Sequence, residues 1–257
     1  MTELTNAHPY TSYNVLLIGD SCIDQYNIGT VDRLSPEAPV PVLKIVESFN
    51  VQGMAANVSR NLKNLGIEVD FITNTEDIVK SRYIDKRSGQ HMLRVDSDVK
   101  VCAWSGRIPF EYETYDAIVI SDYNKGFLSY EHIEALIHYA KCPVFIDTKK
   151  TDLARFQGAW VKINQLESKL ITSEPSGLIV TLGGKGARIW DEFFPTKEVE
   201  VTDVCGCGDT FLAALTAQYL FTKDIKKAIL FANIAAGITV QHRGNYAPTC
   251  DEIRNGY

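Results

Sequence analysis

Five short apolar runs recur along the chain, at Val15–Gly19, Val69–Thr73, Ala117–Ser121, Val144–Asp147 and Leu178–Leu182, and none leaves a polar face for solvent. Strands buried on both sides read this way, because successive side chains point to opposite faces and both faces must be covered. Helical patterns at Ala55–Leu65, Tyr130–Ala140 and Asn164–Ile171 fall between them. Such alternation predicts an α/β fold, a mostly parallel central sheet flanked by helices. Two longer helices, Thr210–Phe221 and Ile225–Gln241, follow with small residues spaced for close packing. The 257 residues suffice for a single domain, 1–257, with a sizeable core.

Two segments break the alternation. Residues 26–46 and 80–96 are extended and charged and carry turn signals such as Ser35-Pro36 and Ser88-Gly89, so a small β lid is expected there. The net charge of −6 comes without a basic block, which excludes a phosphate backbone as the natural partner, so no nucleic acid is expected. No apolar run approaches the ~20 residues of a membrane span and the first residues are polar, so no membrane association and a cytoplasmic location are expected. Six cysteines without a Cys-x-x-Cys pair predict reduced thiols.

In open α/β sheets ligands bind beyond the carboxyl ends of the strands, and the polar residues there form a sequence of candidates. Gly206-Cys207-Gly208-Asp209 follows an expected strand at Glu198–Val201 and opens the Thr210–Phe221 helix. Glycines there let backbone approach a ligand, the free N–H groups of a helix start attract phosphate, and a carboxylate in that turn can accept a hydroxyl proton. The same segment also reads as a plain turn with a helix-start acid, or, through Cys205 and Cys207, as a fragment of a metal site without companion ligands. Asn164-x-x-Glu167 places an amide and a carboxylate three residues apart, which suits Mg²⁺ held through water but is also ordinary capping. Thr181-Leu182-Gly183-Gly184-Lys185-Gly186 is a turn whose glycines admit a nucleotide; neither a P-loop nor a dinucleotide fingerprint occurs.

Taken in chain order, these segments resemble the ribokinase-like, PfkB-type carbohydrate kinases. Asp203-x-x-Gly206-x-Gly208-Asp209-Thr210 matches the family's anion-hole stretch, with Cys205 and Cys207 where Thr and Ala are usual. Gly19-Asp20-x-x-x-Asp24 and Gly53-x-x-x-Asn57 match its sugar-binding segments, with Gln52 replacing a glycine. The resemblance implies a ribokinase-like fold and transfer of the ATP γ-phosphate to a sugar hydroxyl. It makes Asp209 the base and Gly206, Cys207 and Gly208 the anion hole. Asp24, Gly53 and Asn57 would hold sugar; Asn164, Thr181, Gly183, Lys185, Gly186 and Asn233 would meet the nucleotide; Glu167 would hold Mg²⁺ through water.

A narrower resemblance, to the heptose-7-phosphate kinases of lipopolysaccharide precursor synthesis, rests on Arg33-Leu34-Ser35-Pro36-Glu37-Ala38-Pro39-Val40-Pro41-Val42, Ser121-Asp122-Tyr123-Asn124-Lys125-Gly126 and Asp147-Thr148-Lys149-Lys150-Thr151-Asp152. It implies an acceptor that already carries a phosphate, with Arg33, Lys80, Arg82 and Lys125 as candidates to hold it and Asp122 beside the substrate. It also implies a homodimer formed through the lid. Between Thr73 and Val79 the chain is shorter than these relatives, by about a helix and a strand. No His-x-Gly-His segment occurs, so no nucleotidyl transfer is expected within the chain. Another sugar or nucleoside kinase of the same fold, or a silent sugar- or nucleotide-binding relative, are the competing readings.

Overall fold

The computed structural model describes residues 10, 12–97, 99–107 and 114–256. Near one side of its larger sheet lies β1 (Asn14–Gly19), paired in parallel with β4 (Glu68–Thr73) and with β7 (Ala117–Asp122). From β7 the sheet continues in parallel through β8 (Val144–Thr148), β9 (Trp160–Asn164) and β10 (Leu178–Thr181). Antiparallel β11 (Gly186–Ile189) and β12 (Glu192–Pro195) close the far side. Among the described residues the order is β12-β11-β10-β9-β8-β7-β1-β4.

Both faces of this sheet are covered, and the apolar strand runs divide between them by alternation. Val15, Leu17, Val119 and Phe145 pack with α1 (Ala55–Asn64), α3 (Cys207–Thr222), α4 (Ile225–Thr239) and α5 (Cys250–Asn255). Leu16, Ile18, Ile118, Ile120 and Ile146 face the other way, onto Ile133 and Leu136 of α2 (Tyr130–Tyr139). A capping box starts α2, in which Ser129 Oγ accepts from the His132 N–H and His132 Nδ1 from the Ser129 N–H. The α3 helix is apolar on every side because it is sandwiched, and Ala213, Ala214, Ala217, Ala228, Ala232 and Ala235 let α3 and α4 pack closely.

The second sheet has the order β3-β2-β5-β6, built from β2 (Ser21–Leu34), β3 (Pro41–Met54), β5 (Val79–Asp85) and β6 (His91–Ser97). It is longer than the two expected segments, since the β2/β3 ladder runs from Ser21↔Met54 to Leu34↔Pro41. Residues 44–50 are exposed throughout, so no period-two burial marks them as strand. From β4 the chain passes within five residues to β5, and β4 is the edge of the larger sheet. Asn74 secures that crossing: its Oδ1 accepts from Ser21 N–H at 2.7 Å, and its Nδ2 donates to Glu76 O at 2.7 Å.

Two expected elements are absent. Asn164–Ile171 is not a helix: β9 ends at Asn164, whose Oδ1 accepts from the Leu166 and Glu167 N–H groups, and a single 3₁₀ turn follows at Glu167–Lys169. A side chain that binds the next N–H groups of its own chain competes with helix propagation. Glu198–Val201 pairs with no strand; it lies along cavities, where it gains no ladder. No helix among the described residues is long and apolar enough to cross a membrane.

Candidate active site

The first turn of α3 is crowded from three sides. Gly206 caps the helix with φ 73°, and a side chain there would put its first carbon 2.7 Å from Asn57 Nδ2 and 3.0 Å from Asn245 Oδ1. At Gly208 the same carbon would lie 2.9 Å from Lys162 Nζ. Both glycines are therefore demanded by close approach, and Gly206 also by its left-handed backbone. Asp209 sits in this turn, 4% exposed, with Oδ2 accepting from Asn57 Nδ2 at 2.8 Å and Oδ1 from the Tyr123 hydroxyl at 2.9 Å. Burial raises its carboxyl to about 6; the nearby Asp147 charge adds to this, and the Asn57 and Tyr123 hydrogen bonds with Lys162 oppose it. A carboxylate so placed is ionised at neutral pH and still basic enough to take a proton from a hydroxyl in transit.

Beside the turn, Lys162 of β9 pairs with Asp147 of β8 at 2.6 Å, both buried. Burial alone would favour the neutral amine, but Asp147 outweighs it and holds the Lys162 ammonium above its usual range. Asp147 Oδ1 is buried without a partner. A fixed cation thus stands against the glycine turn, the direction from which it can meet phosphoryl charge.

Asp24, on β2, is linked to Asp209 through hydrogen bonds of Asn245, Arg60 and Asn57. Its Oδ1 pairs with Arg82 at 2.5 Å and its Oδ2 accepts from Asn245 Nδ2 at 2.9 Å. Gly53 faces it across the β2/β3 ladder, and a side chain there would drive into the Asp24 carboxylate and come within 2.7 Å of Cys22 Sγ. Asn57 accepts from Arg60, which also donates to the Asn245 carbonyl, so Asp24, Asn245, Arg60, Asn57, Asp209 and Tyr123 form one connected polar chain.

Two cavities flank this chain. One, about 460 Å³, is lined by Thr181, Gly183, Gly186, Cys207, Gly208 and Asn233 among others. Gly183 and Gly186 both have positive φ there, and a side chain at Gly186 would meet Thr196 N at 2.9 Å. Asn233 is buried with its Nδ2 donating to Phe194 O at 3.0 Å, so it also fixes β12 against α4. The other cavity, about 690 Å³, lies between the second sheet and the loop after α4, with Tyr26, Phe49, Arg60, Asp203 and Asn245 in its wall. Val201 and Val204 border both.

Several expected positions are placed differently. Asp122 is buried against Lys150 at 3.0 Å and accepts from Thr148 Oγ1 and Asn124 N–H, which shapes its loop and leaves it off the cavity walls. Arg33 is exposed near the tip of β2, nine residues past Asp24 and roughly 30 Å away at the rise of a strand. Arg82 is engaged by Asp24 and lies over the Tyr26 ring, 5.3 Å from its centroid. Lys80 lies 5.6 Å from the Tyr123 centroid, and the Lys125 N–H donates to Asp20 Oδ2 at 3.4 Å. Lys185 is exposed in its 3₁₀ turn and lines neither cavity, and Asn164 is occupied in capping. Glu167 does not share a helix face with Asn164: its Oε2 accepts from the Asn164 N–H and its Oε1 pairs with Lys149. No cluster of three metal-ligating side chains occurs among the described residues, so these groups fit Mg²⁺ only as outer partners reached through water.

Sequence reasoning missed Tyr123, Lys162, Asp147, Arg60 and Asn245 as site residues. A lysine inside the apolar run Trp160-Val161-Lys162-Ile163-Asn164 was the available signal, because a strand-interior ammonium needs a buried carboxylate.

The fold defines the class, a ribokinase-like α/β protein, here with a buried carboxylate in a glycine turn at the start of α3. The Arabidopsis thaliana ribokinase complexed with ribose and ATP superposes with a TM-score of 0.69 at 14% identity, covering 95% of this chain and 98% of that one, a likeness of fold. The profile of the pfkB family of carbohydrate kinases matches residues 132–251. The bifunctional protein HldE of a Nitratiruptor species is 32% identical over 298 aligned positions, covering 93% of this chain, and that of Aliivibrio salmonicida is 30% identical, covering 91%. The likeness to the pfkB carbohydrate kinases is thus carried by residues 132–251, within a chain of ribokinase-like fold. The chain spans less than two thirds of the length of these relatives, 64% and 61%. The 298 aligned positions exceed its 257 residues, so the relatives carry segments that it lacks.

Proposed function

We propose that the chain phosphorylates the anomeric hydroxyl of a heptose 7-phosphate with ATP, giving the 1,7-bisphosphate. The observation that carries this reading is the position of Asp209, a buried carboxylate raised to about 6 in a helix turn whose Cys207 and Gly208 line one cavity, and linked through Asn57 to Arg60 in the wall of the other. In this reading the cavity at Gly183 and Asn233 takes the nucleotide, and the one beyond Asp24 takes the sugar under the second sheet, which acts as the lid. Asp24 and Asn57 orient the acceptor. As its oxygen bonds to the γ-phosphorus and the bond to ADP breaks, the hydroxyl proton passes to Asp209. The N–H groups of the Gly206–Asp209 turn and the Lys162 ammonium meet the negative charge that builds on the migrating group. Transfer of this kind needs position and charge stabilisation more than a strong base. Mg²⁺, when bound, neutralises charge between the nucleotide phosphates, and Glu167 would hold it through water.

The exposed apolar residues of the lid, among them Ile45, Val46, Leu93 and Val95, favour a homodimer through that sheet, which light scattering would read as twice the chain mass. A cytoplasmic location accompanies the proposal, since ATP and sugar phosphates are found there. The experiment for the activity is a coupled ADP-release assay with heptose 7-phosphate beside ribose, fructose, a nucleoside and the sugars' phosphates. Turnover that prefers a nucleoside or an unphosphorylated sugar overturns the acceptor. Binding with no ADP from any acceptor overturns the activity and favours a silent binding protein.

A further inference from the structure

We infer that the phosphate of the acceptor is held by Arg60, Lys86 and Arg243, where the lid hairpin meets the loop after α4, and not by any cation singled out from the sequence. This rests on the proposed reading that the acceptor is a sugar phosphate. All three side chains line the 690 Å³ cavity beyond Asp24, with His91 beside them. They come from three separate parts of the fold: Arg60 from α1, Lys86 from the turn between β5 and β6, and Arg243 from the loop after α4.

Arg243 is tied to the hairpin by contact. Its guanidinium lies against Gly89, so closely that a side chain at Gly89 would put its first carbon 2.5 Å from the Arg243 Nη2. The backbone at Gly89 also has φ 71°, which suits glycine. No carboxylate pairs with Arg243 or Lys86 among the described residues, although the chain as a whole is acidic, at −6. Deeper in the cavity, Arg60 donates through Nη2 to Asn57 and to the Asn245 carbonyl, while its Nε is buried with no partner. A buried donor left open costs free energy unless a ligand supplies the acceptor.

Carboxylates also line the cavity, and two are already satisfied. Asp203 accepts from the Cys205 and Gly244 N–H groups, and Asp85 accepts from the Ser88 N–H and hydroxyl. Glu47, on β3, is exposed. What remains is a set of cationic forks and an ammonium lining one space, with no ion pair to Lys86 or Arg243 among the described residues, an arrangement suited to a phosphate dianion. None of the four cations expected from the sequence lines this cavity: Arg82 pairs with Asp24, Lys80 lies over Tyr123, Arg33 is at the strand tip, and Lys125 follows β7. The sugar's hydroxyls would thus be read at Asp24, Asn57 and Asn245, and its phosphate at the lid–loop seam. Because the hairpin brings Lys86, phosphate binding would also draw the lid onto the body.

The test compares wild type, Arg243→Met, Lys86→Met and the double variant on heptose 7-phosphate and on the unphosphorylated heptose. Arg87→Met is the control, since Arg87 is exposed, pairs with Asp32 and lines no part of the cavity. Each lost charged contact should raise KM for the phosphorylated sugar roughly 10- to 100-fold, with kcat nearly unchanged and the unphosphorylated sugar unaffected. An unaltered KM in the double variant overturns the inference while leaving the kinase reading intact. If no acceptor yields ADP, the kinase reading fails and calorimetric titration with heptose 7-phosphate decides. Tighter binding by wild type than by the double variant supports the subsite, and equal affinity or no binding to wild type overturns it.

Discussion

Replacing Asp209 with Asn should destroy activity and yet stabilise the protein, and the two effects should have different pH dependence. The folded carboxyl is raised from its ordinary 3.8 to about 6, chiefly by burial. Between those two values the folded chain binds more protons than the unfolded one, so stability falls as pH climbs through that window and stays low above it. The shift corresponds to a penalty on the order of 3 kcal/mol at pH 7 and above. Asparagine keeps the shape, removes the charge and still accepts from Asn57 or Tyr123, but its own NH₂ gains no matched acceptor, which takes back about 1 kcal/mol. The net gain of about 2 kcal/mol should raise Tm by roughly 4–8 °C at pH 8. Below pH 4 the wild-type carboxyl is itself protonated, and the gain should vanish. Thermal melts at pH 8 and pH 4, with ADP release at pH 8, measure all of this; kcat/KM should drop about 10²- to 10⁴-fold. A variant equally destabilised at both pH values would refute the buried-charge argument, and one with wild-type turnover would refute the base.

Tyr123→Phe removes a hydrogen bond that keeps Asp209 ionised, so the acid limb of kcat/KM should move from near pH 6 to higher pH by about one unit; a limb that stays in place in an active variant would separate Tyr123 from the base. Gly53→Ala forces a methyl into the Asp24 carboxylate, and the acceptor KM should rise by about 10-fold or more while the KM for ATP holds. Equal effects on both substrates would mean general damage to the β2/β3 ladder. Lys149→Met frees Glu167 from its ion pair, and the Mg²⁺ concentration for half-maximal rate should fall severalfold; no change would remove Glu167 from the ion's surroundings.

What could be read in advance divides by distance along the chain. Gly206, Gly208 and Asp209 were legible because a helix start, a close backbone approach and a carboxylate are all set within four residues, and the structure shows the contacts, from Asn57 and Lys162, that forbid side chains at the two glycines. Asn164 and Glu167 were legible as a pair but not as a conformation: the Asn164 side chain turned the chain back on itself where the apolar period promised a helix. The partners of Asp209 were hidden because they share no local pattern. Tyr123 follows β7, Asp147 lies near the end of β8 and Lys162 in the middle of β9, and only the parallel register brings them together, with Asp147 directly across from Lys162. The same rule that located the cleft, ligands at the carboxyl ends of parallel strands, therefore carries a second consequence. A buried cation within one strand should be sought against a carboxylate at the same level of its neighbour, and in this chain the resulting pair stands beside the turn that holds Asp209.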